Sequence, residues 1–213
     1  MELTFLLYPG VEPIDLAALG VISLGRRIVP QLSYRTVAAS HAPVELSNGL
    51  RVLPDMAFYE VDRVDVLMIP GGPGWRRAAE DPTTLAFIRR WATAATTVCS
   101  VCTGAMVLAR AGLLDGLAAT TKSAVVPPER SPMEELQDRH RDVSAVDALL
   151  VDSGSVVTGG GVTLCIDTTL HLIALRHGAA AADEIARTME YGAARAANAA
   201  RLPTVSGEIR SPR

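Results

Sequence analysis

The chain has 213 residues, 49% of them apolar and only 4% aromatic, with a formal net charge of −3. That length supports one large domain whose core must come from aliphatic side chains and alanine. The absence of a Lys/Arg cluster argues against a nucleic-acid partner. No apolar run is long enough to cross a membrane, and Met1 to Tyr8 is too short and lacks the basic start of a signal peptide.

Glu2 to Tyr8 reads as a buried first strand closed by Pro9-Gly10. Residues 12 to about 27 carry helical apolar spacing, and Leu32 to Ala38 alternates like a strand. Val44 to Leu46 and Leu50 to Leu53 predict a small hairpin around Ser47-Asn48-Gly49, because Asn-Gly supplies positive φ angles. Val64 to Ile69 is an apolar strand ending at Pro70-Gly71-Gly72-Pro73-Gly74. Pro82 starts a helix to about Ala95, and Thr97 to Val101 is the next strand. A helix then runs from Ala105 to the turn at Gly112 to Gly116, followed by an extended piece, Ala119-Thr120-Thr121. Val126 to Pro132 reads as loop and Met133 to Arg139 as helix. Ala148 to Asp152 and Ser155 to Thr158 read as strands, Gly159-Gly160-Gly161 opens a helix to about Arg176, and a last helix covers Ala180 to about Tyr191. The predicted domain spans residues 1–203, and 204–213 read as a polar surface tail.

Short apolar strands alternating with helices give an α/β fold: a mostly parallel sheet flanked by helices on both faces, a flavodoxin-like three-layer sandwich. Ligands in such sheets collect beyond the carboxyl ends of the strands. Pro9 to Asp15, Gly71 to Gly74 and Cys102-Thr103 all fall on that edge.

Val98-Cys99-Ser100-Val101-Cys102-Thr103-Gly104-Ala105 is the most informative stretch. A β-branched run ends at Cys102, small residues follow, and a helix begins. A cysteine at such a bend is a nucleophile elbow, and the free amides of the helix start favour a thiolate and can bind an oxyanion. The bland alternative is one more small buried hydrophobe. Cys99 lies within the strand, so the Cys99/Cys102 spacing is not a thioredoxin arrangement. Cys99 and Cys165 are assigned to packing. Three cysteines and four scattered histidines suggest a reducing, cytoplasmic setting with no disulfide framework, no metal and no cofactor. Asp167 and His171 stand four residues apart on one helix and are expected to form a local hydrogen bond rather than a metal site.

These motifs, with Tyr8-Pro9-Gly10-Val11, Asp15-Leu16, Ala111 to Gly116, Thr158 to Val162, Ile166-Asp167 and Leu170-His171-Leu172, resemble the ThiJ/PfpI superfamily, related to class I glutamine amidotransferases. Within it the branch of isonitrile hydratases and of the sensor halves of AraC-type regulators is the nearest. The resemblance implies that Cys102 is the nucleophile, and that Asp15 is an acidic residue hydrogen-bonded to its sulfur. Asp15 is favoured over Glu12 as that acid; either could instead only cap the first helix. Gly72 and Thr103 would supply oxyanion-hole amides, and the Thr103 hydroxyl would hold water. Gly71, Gly104 and Lys122 are further substrate-binding candidates. Much of the superfamily carries a histidine after the Thr-Thr pair, where this chain has Lys122. A lysine is no imidazole base, which weighs against amidase chemistry and less against isonitrile hydration. The implied activity is hydration of an isonitrile to an N-substituted formamide by a homodimer. The alternatives are a non-catalytic ligand sensor or a redox or carbonyl-stress protein.

Overall fold

The computed structural model describes residues 1–206. β1 (Glu2–Leu6) buries Leu3, Phe5 and Leu6 completely. A 3-10 turn (Pro13–Leu16) then leads into α1 (Ala17–Gly25), so the one helix expected over 12–27 is two pieces. The tight start has a local cause. Pro13 has no N–H to give, and Glu12 accepts from Ile14 N at 3.3 Å and Asp15 N at 3.0 Å.

β2 (Ser33–Ala38) follows, then the expected hairpin of β3 (Val44–Glu45) and β4 (Arg51–Val52). β5 (Met56–Ala57) and β6 (Val66–Ile69) come next. A one-turn helix, α2 (Trp75–Ala78), precedes α3 (Pro82–Trp91), whose N-cap Asp81 accepts from Thr83 and Thr84 N–H groups at 3.3 and 3.0 Å. β7 (Thr97–Ser100) feeds α4 (Gly104–Arg110), which is buried except at its last residue. β8 (Ala118–Ala119) pairs with β9 (Ser144–Ala145) around α5 (Pro132–Arg139). β10 (Leu150–Asp152) and β11 (Val156–Gly159) are antiparallel. They lead to α6 (Leu164–His177), α7 (Ala179–Thr188), α8 (Gly192–Arg201) and β12 (Thr204–Ser206).

The main sheet has eight strands in the order β12-β10-β11-β7-β6-β1-β2-β5, parallel except at the β10/β11 pair. Strand order reverses between β1 and β6. With right-handed crossovers, α1 therefore covers one face and α3 the other. That reversal also opens a crevice at the carboxyl ends of β1, β6 and β7.

Two parts of the chain depart from expectation. Thr204–Ser206, read as the start of a tail, adds an edge strand on β10, with Val205 beside Val151; residues 207–213 of the expected tail lie outside the described residues. α8 lies outside the expected elements: its apolar stripe is alanine alone (Ala193, Ala196, Ala197, Ala200), and it buries no residue. Among the described residues, no helix is long and apolar enough to cross a membrane.

The central strand β6 is buried on both sides. Leu67→Ala is therefore expected to lower unfolding free energy by about 2–5 kcal/mol, read from urea denaturation with an unchanged slope.

Candidate active site

Cys102 sits between β7 and α4 with φ of 53°, a left-handed backbone that non-glycine residues rarely adopt. Two hydrogen bonds hold its backbone there. Its N–H donates to Gly160 O at 3.0 Å, and its carbonyl accepts from the Thr121 hydroxyl at 2.8 Å. The amides of Val162 and Thr103 face its sulfur. Val162 is itself left-handed, with φ of 50°, unusual for a β-branched residue. The Thr158 to Val162 motif carries no role in the sequence reading. The positive φ of a valine is invisible in sequence, and with it the approach of this amide to the sulfur.

The glycines of the Pro70 to Gly74 loop let this turn approach. A Cβ on Gly71 would meet Thr103 N at 2.4 Å and the Cys102 Cβ at 2.7 Å. Gly72 has φ of +122° and its N–H donates to the Thr103 hydroxyl at 2.9 Å. One of the two expected oxyanion-hole amides is thus already engaged by Thr103, where an incoming oxygen would have to displace the hydroxyl.

Asp15 is fully buried. Its Oδ2 accepts from Gly71 N at 2.7 Å, and its buried Oδ1 has no hydrogen-bond partner. The expected hydrogen bond to the Cys102 sulfur is absent: the carboxylate is engaged by the Gly71 amide and acts on the sulfur through charge. Burial, with a contribution from Glu12, raises the Asp15 carboxyl from 3.8 to about 7, against the Gly71 bond, which lowers it. Glu12 accepts from Ile14 N, the capping role considered for either acid.

Burial and the Asp15 charge also push the Cys102 thiol up to about 11, opposed by the Val162 and Thr103 amides and by Lys122. The expectation that the helix start would favour a thiolate is not met in this resting state. α4 is a two-turn helix beneath a buried sulfur, and desolvation outweighs the amides of Val162 and Thr103. Cys99 and Cys165 are pushed up further by the same burial. Cys165 is nearer to the site than packing alone implied, since both Asp15 and Cys102 act on it electrostatically.

Cys102 opens into a pocket of about 410 Å³ shared by Glu12, Gly72, Trp75, Thr103, Lys122 and Val162. Gly71 and Gly104, expected at the substrate, are buried and absent from its walls. Gly71 instead carries the Asp15 bond, and Gly104 packs where a Cβ would meet Ile69 O at 2.1 Å. The cations of the pocket are internally engaged. Lys122 Nζ donates to Ala124 O. Arg76 lies 4.3 Å over the Trp75 ring and grips Glu135 with two 2.7 Å bonds, and Arg130 pairs with Asp138. The Asp167–His171 pair is not formed. Asp167 accepts from Tyr191 OH at 2.6 Å and Asn198 Nδ2 at 3.0 Å, while His171 meets Asp152 at 2.8 Å.

Residues 3–175 match the model of the DJ-1/PfpI family. The chain belongs to that family. It is 34% identical to isonitrile hydratase of Pseudomonas putida over 194 residues, covering 91% of this chain and 80% of that protein. It is 29% identical to the HTH-type transcriptional regulator CdhR of Pseudomonas aeruginosa, covering 88% of this chain and 54% of that one; this chain spans about half of the regulator's length. Among solved structures, a ThiJ/PfpI family protein from Pseudomonas syringae aligns with a TM-score of 0.74 at 29% identity, covering 89% of this chain and 74% of that one. A cysteine-to-alanine variant of a DJ-1 superfamily protein from Salmonella typhimurium aligns with a TM-score of 0.75 at 26% identity, covering 89% and 98%. The family and the mostly parallel, helix-flanked sheet agree with the sequence reading.

Two tests follow from this geometry. The Asp15 carboxyl binds its proton more tightly folded than unfolded, so native stability falls as pH rises from about 4 to about 7. The shift corresponds to on the order of 4 kcal/mol. Asp15→Asn removes the ionisation, so it should be more stable than wild type at pH 8, with an advantage that shrinks as pH falls and is mostly lost by about pH 4, measured by urea unfolding across pH. The second test is limiting iodoacetamide at mildly alkaline pH with peptide mapping. Cys102 should label first, ahead of Cys99 and Cys165, because its thiol is the least raised of the three and opens into a pocket.

Proposed function

We propose that the protein is a cysteine-dependent hydratase that converts an isonitrile to an N-substituted formamide. The observation that carries this reading is the pairing of Cys102, at a strained turn facing the pocket, with a buried carboxyl raised to about 7. The 34% identity to isonitrile hydratase supports it.

In this reading Asp15 and Cys102 hold a single negative charge. Ionised Asp15 takes the thiol proton as the sulfur attacks the terminal isonitrile carbon. It then returns that proton to the same carbon, giving a thioimidate in which the C–S and C–H bonds are both new. Water, positioned by the Thr103 hydroxyl, adds across the C=N bond. One proton of the water ends on nitrogen; as the C–S bond breaks, the other passes from oxygen through Asp15 to the sulfur, which releases the formamide and regenerates the thiol, with the Thr103 amide, and the Gly72 amide once the Thr103 hydroxyl is displaced from it, facing the developing oxyanion. Asp15 and Cys102 are not hydrogen-bonded at rest and Asp15 lies behind the pocket wall rather than in it, so proton transfer needs substrate binding to bring the two together.

The reading includes a small-molecule substrate, a cytoplasmic setting and a homodimer, with no nucleic-acid or membrane partner. Ile14 and Leu50 are exposed apolar side chains on segments joined by the Ser47 N to Val11 O bond, and a second copy would cover them. A sensory role is the second reading, favoured by the match to CdhR.

A panel of isonitriles, amides and glyoxals separates these. The hydratase reading expects formamide release that Cys102→Ala abolishes. Asp15→Asn should fall by about 10²–10⁴-fold, and Lys122→Ala by much less. Loss of activity in Lys122→Ala with Asp15→Asn active would point to amide or carbonyl chemistry. Tight binding of a panel member without turnover would point to a sensor.

A further inference from the structure

One buried tyrosine has no part in the chemistry above. Tyr8, just beyond β1, is 4% exposed, and its hydroxyl donates to Pro70 O at 2.6 Å. The next N–H along the chain, that of Gly71, donates to Asp15 Oδ2 at 2.7 Å. Pro70 O and Gly71 N belong to the same planar peptide, on its opposite edges. The arrangement is therefore a continuous chain: Tyr8 O–H to carbonyl, across the amide, and N–H to carboxyl. We propose that Tyr8 is a positioning residue that sets how tightly Asp15 holds its proton, acting through the Pro70–Gly71 peptide.

The physical basis is polarisation. A donor on a carbonyl oxygen draws electron density from the amide nitrogen and makes its N–H a stronger donor, so hydrogen bonds in series reinforce one another. The Gly71 N–H stabilises the ionised carboxylate, the direction in which it moves Asp15. A stronger Tyr8 donor therefore favours ionised Asp15, and its loss favours the protonated form. Tyr8, Pro70, Gly71 and Asp15 are all buried, with Tyr8 also bordering a neighbouring pocket of about 310 Å³, so the polarisation reaches Asp15 through protein groups. Burial, with the charges of Asp15 and Cys102, holds the phenol well above its usual ionisation range, so it remains a donor at any working pH. The other titratable groups that act on Asp15 are Glu12 on the same loop, Cys102 at the start of α4 and Cys165 on α6. Glu12 donates its N–H to Gly71 O at 2.9 Å and Cys102 packs against Gly71, but no side chain of the three hydrogen-bonds Pro70 O or Gly71 N.

The consequence for turnover rests on Asp15 being the acid–base group. The test does not, because it reads the Asp15 proton directly. Protein labelled with carboxyl-¹³C aspartate is titrated by NMR, with Asp15→Asn identifying the resonance. Wild type should titrate with a midpoint at about 7. Tyr8→Phe should move it up by roughly half a unit, and the Gly71 amide proton should move upfield. Site-specific 3-fluorotyrosine at position 8 is a stronger donor of nearly the same shape, and should move the midpoint down. Opposite displacements by the two variants are not what a merely structural tyrosine would give. The fluorinated protein also keeps the inference testable if Tyr8→Phe fails to fold. Midpoints unmoved in the folded variants, or moved in the same direction, would overturn it. If the midpoints shift as expected but no isonitrile is turned over, the relay stands and the hydratase reading falls.

Discussion

The site depends on one backbone turn. Cys102 is held left-handed, a conformation that costs on the order of 1–3 kcal/mol for a non-glycine residue. The surrounding chain outweighs that cost by gripping the cysteine from two other segments, through Gly160 O on its N–H and Thr121 on its carbonyl. Relaxed to an ordinary extended conformation, Cys102 would carry β7 onward and turn its sulfur away from the pocket. The same constraint accounts for Gly71, where a side chain would collide with the Cys102 Cβ and the Thr103 amide. It also accounts for the buried, small-residue start of α4 directly beneath the turn.

Electrostatics at the turn run opposite to the usual picture of a cysteine activated by a helix. Desolvation is the largest influence on Asp15, Cys102 and Cys165 alike, and in each it opposes charge. Three acidic groups in one dry region cannot all ionise, and each resists the ionisation of its neighbours. The favourable contacts are few: Gly71 N–H for the carboxylate, and the Val162 and Thr103 amides for the sulfur. The site therefore admits one negative charge readily and a second one poorly. That suits chemistry in which a proton shuttles between two groups, and suits a permanently ionised thiolate less well.

Much of this was legible in the chain. Two-sided apolar runs such as Val64 to Ile69 announce a central strand, and Ser47-Asn48-Gly49 announces its hairpin, because both signals are local. The position of Cys102 between strand and helix was local too. What was hidden is non-local or conformational. Asp167 and His171 have the spacing of a pair, yet Tyr191 and Asn198 reach Asp167 from a helix whose only apolar residues are alanines. β12 is three residues long and exists only because β10 offers a free edge. Val162 carries no sign in its identity that its φ is positive. The orphaned Asp15 Oδ1 likewise follows from packing, not from sequence.

The choice among reactions turns on where the imidazoles are. None of the four histidines lines the cysteine pocket. His41 pairs with Glu60, His171 with Asp152 across to β10, and His140 and His177 belong to the ends of α5 and α6. The residue after Thr121 is Lys122, whose Nζ is turned to the Ala124 carbonyl and whose influence on the sulfur is the least of those acting on it. Arg76 and Arg130, the other cations of the pocket, are tied to Glu135 and Asp138. A base able to cycle near neutrality is then left to the carboxyls. Of Asp15 and Glu12, burial has moved Asp15 to about 7, where a carboxyl both accepts and donates protons. A substrate whose own carbon must be protonated after sulfur attack makes use of that one group twice. An amide, whose leaving nitrogen must also be protonated, would call on a second group, and in this pocket that task would fall to Glu12, which caps the Pro13–Leu16 turn.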